Sequence, residues 1–289
     1  MTLEQLRIFV SVAERLHVTR AAEALHITQS AASAGIAALE TRYGLRLFDR
    51  VGRGVALSEA GRVFLPEAKA VLARATAATQ ALEDLAGLRR GSITLAASQT
   101  VSNYWLPSRM ARFAEAHPGI SLSLTVGNTA QVAQAVAEGA VELGFVEGEV
   151  DLPILQRTAV AADRIALYAA PRHGLVGVRI TADDLLRWRW VLREPGSGTR
   201  SEFEQALAKK EIDVAALQVV LELPSNEAVL DAVAHGDLVT AVSELAAQPF
   251  VAAGRLVPLA FDLTARAFEL LTHKDRRRSS AAAAFLAQL

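Results

Sequence analysis

The stretch Val18–Phe48, VTRAAEALHITQSAASAGIAALETRYGLRLF, decides how the front of the chain folds. Apolar residues recur at helical spacing in its first part, at Ala21, Ala22 and Leu25. Thr19 is expected to cap this helix and Thr28 to cap the next. A second apolar stripe comes after Thr28 at steps of three and four residues, at Ala31, Ala32, Ile36 and Leu39. The stretch therefore predicts two short helices joined by a tight turn.

The start of the second helix carries four small polar side chains, Thr28, Gln29, Ser30 and Ser33. A helix-turn-helix reads DNA with this part of its second helix, because only there do side chains reach base edges in the major groove. Gln bonds both edge positions of adenine, and Ser serves several bases or a phosphate. The alternative is that these groups are ordinary solvated side chains of an amphipathic hairpin. The basic segment that comes next in the chain favours DNA contact.

That segment, LRLFDRVGRGVAL at residues 45–57, alternates apolar and basic residues around two glycines. This pattern predicts a small β-wing with Arg50 and Arg53 near its tip. Arginines on a wing beside a reading helix hold DNA phosphates, which supply affinity without choosing sequence. We therefore predict that both arginines contact DNA.

Taken together, residues 2–61 resemble the winged helix-turn-helix of the LysR-type transcriptional regulators. Six linked pieces carry the resemblance: the opening apolar helix pattern, AAEAL, TQSAAS, IAALE, YGLRLFDR and LSEAG. The resemblance implies an all-α winged helix-turn-helix at residues 1–60 whose partner is double-stranded promoter DNA. Ala34 and Gly35 stand where many relatives place longer polar side chains, so we expect few base contacts and more reading of DNA shape.

Eight arginines against six acidic residues up to Arg62 give this segment a small positive surplus, which predicts weak DNA binding unless domains are paired. Residues 58–88 predict a long helix that pairs with the same helix of a second chain. Its apolar residues recur at alternating steps of four and three, the spacing of a coiled-coil seam: Phe64, Ala68, Val71, Ala75, Ala78, Leu82 and Leu85. The alternative is a helix packed on its own domain. The resemblance implies a dimerising linker helix, placed at residues 61–89, and a homotetramer.

Composition limits the other function classes. The chain has 289 residues, 52% hydrophobic and 21% charged, with a net charge of -1 and no cysteine, so we expect two or three globular domains and no thiolate metal site. The amino terminus is amphipathic and unlike a secretion signal, and no apolar run suits a bilayer, so we expect a cytoplasmic protein. Six scattered histidines and the absence of catalytic motifs argue against an enzyme, and we predict no cofactor.

Beyond residue 90 the pattern alternates between strands and helices, which predicts an α/β fold. The family resemblance implies a two-lobed, periplasmic-binding-protein-like effector domain at residues 90–289. Lobe 1 is expected at about 90–160 and 266–289, and lobe 2 at about 161–265. A free solute-binding protein would share such lobes, but it would lack the DNA-reading segment.

Ligands of open α/β sheets bind beyond the carboxyl ends of strands, where loops lead into helices. Residues at four such places, together with the acid Glu147, are candidate effector ligands: Ser98, Gln99, Thr100, Asn128, Arg193, Gly198, Thr199, Ser225 and Asn226. Helix starts and an arginine fork suit a small anion. Judged singly, several of these residues are simple caps or turn glycines. The acids Glu147 and Glu194 either repel an anion or orient Arg193, and both possibilities stay open.

Four segments, ASQT, VGNTAQV, LGFVEGEV and LREPGSGTR, look like the branch of LysR-type regulators concerned with sulfur assimilation and carbon fixation. This resemblance implies a small anionic effector. The compact loop side chains favour a sulfite- or sulfate-like oxyanion. A small carboxylate or a phosphorylated metabolite is the alternative.

Overall fold

The computed structural model, which describes residues 1–52, 54–85, 91–174, 176–263 and 265–289, begins with three helices, a two-stranded wing and a long helix. Their bounds are α1 Leu3–Arg15, α2 Val18–Ala24, α3 Gln29–Tyr43, β1 Phe48–Val51, β2 Gly54–Leu57 and α4 Glu59–Leu85. Met1–Ala86 and the short segment Glu138–Ala140 form one compact unit, and the remainder forms a second. No described helix is both long and apolar enough to cross a lipid bilayer.

Polar side chains fix where the two predicted helices begin. Thr28 caps α3 as predicted, because its hydroxyl accepts a hydrogen bond from the backbone N–H of Ala31 at 3.2 Å. The prediction for Thr19 is wrong. The helix α2 already begins at Val18, and its cap is the imidazole of His17.

The core of this unit lies between α1, α2 and α3, and its fully buried members include Leu6, Phe9, Val12, Ala21, Ala32 and Leu39. Gly35 belongs to this packing. A Cβ placed there would lie 2.8 Å from Cδ1 of Ile8, so the glycine lets α3 approach α1 closely. Gly35 therefore faces α1.

Hydrogen bonds to one carboxylate hold the wing against α3. Glu40 accepts from the backbone N–H of Leu47 at 2.7 Å and from that of Phe48 at 3.3 Å. Beside it, the Ser58 hydroxyl donates to the carbonyl of Arg46 at 2.6 Å and caps α4 by accepting from the N–H of Gly61 at 3.0 Å. These bonds fix the base of the wing, at the end opposite its turn.

The long helix α4 changes surroundings along its length. Phe64 and Ala68 pack on the core of the N-terminal unit, and Pro66 lies within the helix. Further along, the side chains of Val71 and Leu82 are exposed, Leu82 at 71%. The predicted end of this helix, at residue 88, lies outside the described residues.

The second unit alternates strands and helices. Its strands are β3 Gly91–Ser98, β4 Ile120–Gly127, β5 Leu143–Glu147, β6 Leu155–Ala169, β7 Arg189–Arg193, β8 Gln218–Leu223, β9 Val239–Ser243, β10 Val257–Leu259 and β11 Ala265–His273. Its α-helices are α5 Pro107–Ala116, α6 Thr129–Glu138, α7 Ala182–Arg187, α8 Gly198–Ala208, α9 Asn226–His235, α10 Glu244–Ala252 and α11 Ser280–Leu286. A π-helical turn at Val101–Trp105 precedes α5, and a 3₁₀ turn at Val214–Ala216 precedes β8.

The nine strands form two lobes that share β6. In lobe 1 the order is β4-β3-β5-β11-β6, with β11 antiparallel to both of its neighbours. In lobe 2 the order is β6-β9-β7-β8, with β10 also paired to β6. Residues 155–164 of β6 pair with β11, and residues 165–169 pair with β9. The predicted fold class, an α/β two-lobed domain behind a helical winged unit, is confirmed.

Two elements differ from the sequence-based prediction. The sequence pattern predicts that β6 starts at Arg164, whereas the strand begins at Leu155, because its first half is largely exposed and lacks apolar alternation. The pattern does not predict the helix α10, which contains Pro249, a residue that ordinarily argues against a helix interior.

Candidate functional site

The start of α3 presents a polar surface to solvent. Thr28, Gln29 and Ser30 are exposed, and Ser33 is half-buried. Their side chains bond to one another: the hydroxyls of Thr28 and Ser30 lie 3.0 Å apart, and Gln29 Nε2 donates to Ser33 Oγ at 2.9 Å. All four predicted DNA-reading residues thus lie together at the N-terminal end of α3.

The wing follows this helix in the chain and carries Arg50. Arg50 lies on β1, is exposed, and is paired across the hairpin with Val55. The hairpin turns at Gly52, whose φ of 56° is readily adopted only by glycine. The predicted phosphate contact Arg53 lies outside the described residues.

In the second unit, the carboxylate of Glu147 at the end of β5 joins the two lobes. It accepts hydrogen bonds from the hydroxyl of Ser98, at the end of β3, and from that of Thr199, in α8, at 3.3 Å. A guanidinium nitrogen of Arg266 lies 3.7 Å away. Because Glu147 is only 1% exposed, the two hydroxyls and the guanidinium stabilise the charge of a carboxylate that water does not reach.

The helix starts of α6 and α8 meet directly beside Glu147. Thr129, the first residue of α6, donates through its hydroxyl to the backbone carbonyl of Glu147 at 2.6 Å. A Cβ on Gly198 would lie 1.9 Å from that carbonyl oxygen and 2.5 Å from Thr129 Oγ1. At Gly198 the backbones of the two lobes therefore approach too closely for a side chain. By contrast, Gly196 serves a turn, with a φ of 87°.

The guanidinium of Arg193, at the end of β7, is held by two side chains, Glu194 and Asn226. Its Nε and Nη2 donate to the two carboxylate oxygens of Glu194 at 2.8 and 3.0 Å, and its Nη1 donates to Oδ1 of Asn226 at 2.9 Å. Asn128 of lobe 1 donates to the same carboxylate, from Nδ2 to Glu194 Oε1 at 3.4 Å. The predicted cleft arginine is buried and already paired with a carboxylate.

Asn226, the first residue of α9, connects Arg193 to lobe 1. Its Nδ2 donates to the hydroxyl of Thr100 at 3.2 Å, and its backbone N–H donates to Oε1 of Gln99 at 3.0 Å. Ser225 has the simpler role of a cap, because its hydroxyl accepts from the N–H of Ala228 at 3.0 Å. Hydrogen bonds thus connect eight of the ten predicted effector residues in two groups, one around Glu147 and one around Arg193. Gly198 packs beside the first group, and Ser225 is a helix cap.

A further set of hydrogen bonds between the lobes lies next to Asn226 in α9. Tyr104 donates through its hydroxyl to Glu227 at 2.7 Å, and Asn103 donates to the same oxygen at 3.1 Å. Burial raises the pKa of Glu227, but these hydrogen bonds and the charge of Arg193 outweigh it, so the pKa lies below its ordinary value. Burial, and next the bond to Glu227, raise the pKa of Tyr104.

Sequence reasoning missed the buried pair Arg266 and Asp163, where β11 meets β6. Arg266 also donates to the hydroxyl of Thr199 at 3.2 Å, and Ser243 donates to Asp163 at 3.0 Å. The available signal was an arginine within an apolar strand, since a charge buried there requires a partner. With this pair, the cleft holds the carboxylates of Glu147, Asp163 and Glu194 against two guanidinium groups.

Comparisons with known proteins agree with this architecture. Residues 3–62 match the family described as bacterial regulatory helix-turn-helix protein, lysR family, and residues 86–289 match the LysR substrate binding domain. The uncharacterized HTH-type transcriptional regulator YeiE of Escherichia coli K12 is 33% identical, over 99% of this chain and 96% of its own. The probable RuBisCO transcriptional regulator of Synechocystis sp. PCC 6803 is 31% identical, over 100% of this chain and 85% of its own.

Solved structures show the same fold. Full-length CbnR complexed with its target DNA superposes with a TM-score of 0.70 at 21% identity, covering 100% of this chain and 98% of CbnR. The regulatory domain of Synechocystis PCC 6803 CcmR, in complex with 2-PG, superposes with a TM-score of 0.63 at 25% identity. That match covers 68% of this chain and 95% of the CcmR domain.

Proposed function

The chain belongs to the LysR family of DNA-binding transcriptional regulators, and we propose that a small anion bound between its two lobes alters how it holds promoter DNA. It is a regulator with an effector-binding domain and not an enzyme. The observation that carries the proposal is the meeting of polar groups from both lobes around Arg193, Thr199 and the start of α8. Because it acts on promoter DNA, we place its action in the cytoplasm.

The start of α8 is the part of the cleft best suited to an anion. Ser197 precedes this helix but makes no side-chain cap hydrogen bond, unlike Ser225 at the start of α9. The first N–H groups of a helix have no acceptor within the helix and carry a partial positive charge. A bound oxyanion would accept from these N–H groups, and from the hydroxyl of Thr199 once that hydroxyl turns away from Glu147. We therefore propose the ten cleft residues named from the sequence as its surroundings.

The anion we favour is a sulfite- or sulfate-like oxyanion, and a small phosphorylated or carboxylated metabolite is the second candidate. The compact hydroxyl and amide side chains of the cleft support the first. The second is supported by the similarity to the CcmR regulatory domain, which was solved with 2-PG. All of these ligands present several oxygen acceptors on a small centre, which an arginine fork and helix N–H groups accommodate.

At the front of the chain, we propose that Thr28, Gln29, Ser30 and Ser33 read DNA and that Arg50 and Arg53 hold phosphates. We propose the division into a DNA-binding domain at 1–60, a linker helix at 61–89 and an effector domain at 90–289. The exposed apolar side chains of Val71 and Leu82 support pairing of linker helices into a homodimer. A homotetramer is our proposal for the full assembly.

The proposed switch is a shift in population. An anion that binds one arrangement of the lobes more tightly than another favours that arrangement, and an anion that binds both equally changes nothing. Because the lobes are joined through β6 and β11, a change in their angle alters the geometry of paired domains in an oligomer.

Titration calorimetry on the full-length protein tests the proposal, with sulfite, sulfate, phosphate and 2-PG as probes. We expect heat of binding for at least one probe and loss of that heat in Thr199→Ala. Promoter binding by Thr199→Ala without any probe should equal that of the wild type. A full signal in Thr199→Ala would show that the effector binds elsewhere.

A further inference from the structure

We propose that Glu194 is a built-in competitor of the effector, occupying the arginine fork that an anion must take over. This role rests on the proposed anion site and adds how that site is regulated. The proposal rests on the three hydrogen bonds that the carboxylate of Glu194 accepts, two from Arg193 and one from Asn128. This donor set draws on both lobes, as an effector that holds them together would require.

The geometry is that of a ligand in a site. Nε and Nη2 of Arg193 face the two oxygens of Glu194 in a side-on pair at 2.8 and 3.0 Å, the arrangement in which a guanidinium holds any carboxylate, sulfate or phosphate. Asn128 Nδ2, across the cleft, reaches one of these oxygens at 3.4 Å. An anion with two or more oxygens on one centre reproduces all three contacts.

Two acidic residues of the cleft, Glu147 and Glu194, differ in whether an anion can displace their carboxylates. Glu147 has 2% of its side chain exposed, and hydroxyls of both lobes together with Arg266 hold it, so it is a fixed part of the framework. Glu194 has 25% of its side chain exposed and lies at the start of the loop leading to α8. Its carboxylate has a direct route into solvent when an anion replaces it.

The buried charge of Arg193 explains why one anion must replace another. Its side chain is 2% exposed, and a guanidinium removed from water needs a negative partner. Glu194 supplies that partner when no effector is present, and an anion supplies it afterwards. Because one of the two negative groups must leave, weakly binding anions are rejected and the site responds only to anions that outcompete a tethered carboxylate.

Glu194→Gln in the full-length protein tests this, with sulfate and 2-PG as separate probes. The amide keeps the size of the side chain and removes its charge. Without a probe we expect a lower Tm, since Arg193 loses its counter-charge. With a probe that binds the wild type, calorimetry should give about a tenfold lower Kd for the variant, and the Tm should rise further than in the wild type.

Glu204→Gln is the matched control. Glu204 bonds Arg200 at 2.7 Å in the same lobe, so this variant also removes one carboxylate from an arginine, and the probe Kd should stay unchanged. If Glu194→Gln does not fold, Glu194→Asp retains the charge, withdraws the carboxylate by one methylene and should also lower the Kd. A Kd for either Glu194 variant equal to or above that of the wild type overturns the competitor role alone. If no protein binds any probe, the anion site itself falls with it.

Discussion

Arg266 donates two hydrogen bonds to a single carboxylate oxygen of Asp163, from Nε at 2.9 Å and from Nη2 at 2.7 Å. Both side chains are 1% exposed, and they lie 103 residues apart in the chain. Since Arg266 also faces Glu147 of lobe 1 and Thr199 of lobe 2, this pair is the centre of the contact between the lobes.

Replacing Arg266 with Met should lower the free energy of unfolding by about 3–5 kcal/mol, because two buried carboxylates lose their counter-charge. Arg157→Met is the control, since Arg157 pairs with Glu269 while 39% of its side chain is exposed, and it should cost at most about 1 kcal/mol. Urea unfolding of both variants measures the difference. Equal losses in the two would contradict the role given to the buried pair.

Replacing Gly198 with Ala should separate the lobes. The added methyl meets a backbone carbonyl at 1.9 Å, which a side-chain rotation does not relieve, so we expect a loss of about 1–3 kcal/mol and weaker effector binding. Gly174→Ala, where nothing lies within 4 Å of the new Cβ, is the control. Denaturant unfolding and calorimetry check this, and an unaltered Gly198→Ala protein would refute the close approach.

Replacing Arg50 with Ala should weaken binding to every DNA sequence alike and reduce the slope of log affinity against log salt by about 1. Gln29→Ala should behave differently, leaving the salt slope in place and reducing discrimination between operator sequences by about 1–3 kcal/mol. Fluorescence anisotropy on promoter and scrambled duplexes over a salt series distinguishes them. The same salt slope in Arg50→Ala and the wild type would remove the wing from the DNA contact.

Glu202 should make the effector domain less stable as pH rises. Burial raises its pKa above the ordinary value of 4.5, and the charges of Arg266 and Lys209 offset this only in part. A carboxyl with a raised pKa in the folded state is more protonated there than in the unfolded chain, so stability falls as pH rises from the ordinary value through the raised one. Glu202→Gln should therefore be more stable than the wild type near neutral pH, with the advantage vanishing in acid.

Unfolding free energies measured at neutral and acidic pH show whether the charge of Glu202 is the cause. Asp184→Asn is a useful comparison, because the hydroxyl of Thr181 lowers the pKa of Asp184 and its replacement should be destabilising at neutral pH. An advantage of Glu202→Gln that persists unchanged in acid would mean that its charge is not responsible.

Local rules account for much of what the sequence predicts. A hydroxyl before an apolar stripe located the start of α3 at Thr28, because capping depends on neighbouring residues. The rule that ligands bind beyond strand ends selected Ser98 and Glu147, whose side chains hydrogen-bond to each other, and Arg193 at the end of β7. Their binding of an effector stays a prediction.

The features that the sequence did not reveal depend on contacts between distant residues. The pairing of Arg266 with Asp163 has no local pattern, and neither does the bond from Tyr104 to Glu227 across 123 residues. Likewise, the sequence left open whether Glu194 orients Arg193 or repels an anion. Only the folded chain shows its carboxylate lying in the arginine's fork.

The position of β11 imposes an order on how the chain is completed. This strand lies between β5 and β6, in the interior of the lobe 1 sheet, although it begins only at Ala265. A nascent chain leaving the ribosome holds every strand of lobe 2 while lobe 1 still has a gap with unpaired backbone groups on both sides. The lobe 1 sheet is thus the last to close, and a chain truncated before residue 265 lacks the strand that pairs with both β5 and β6.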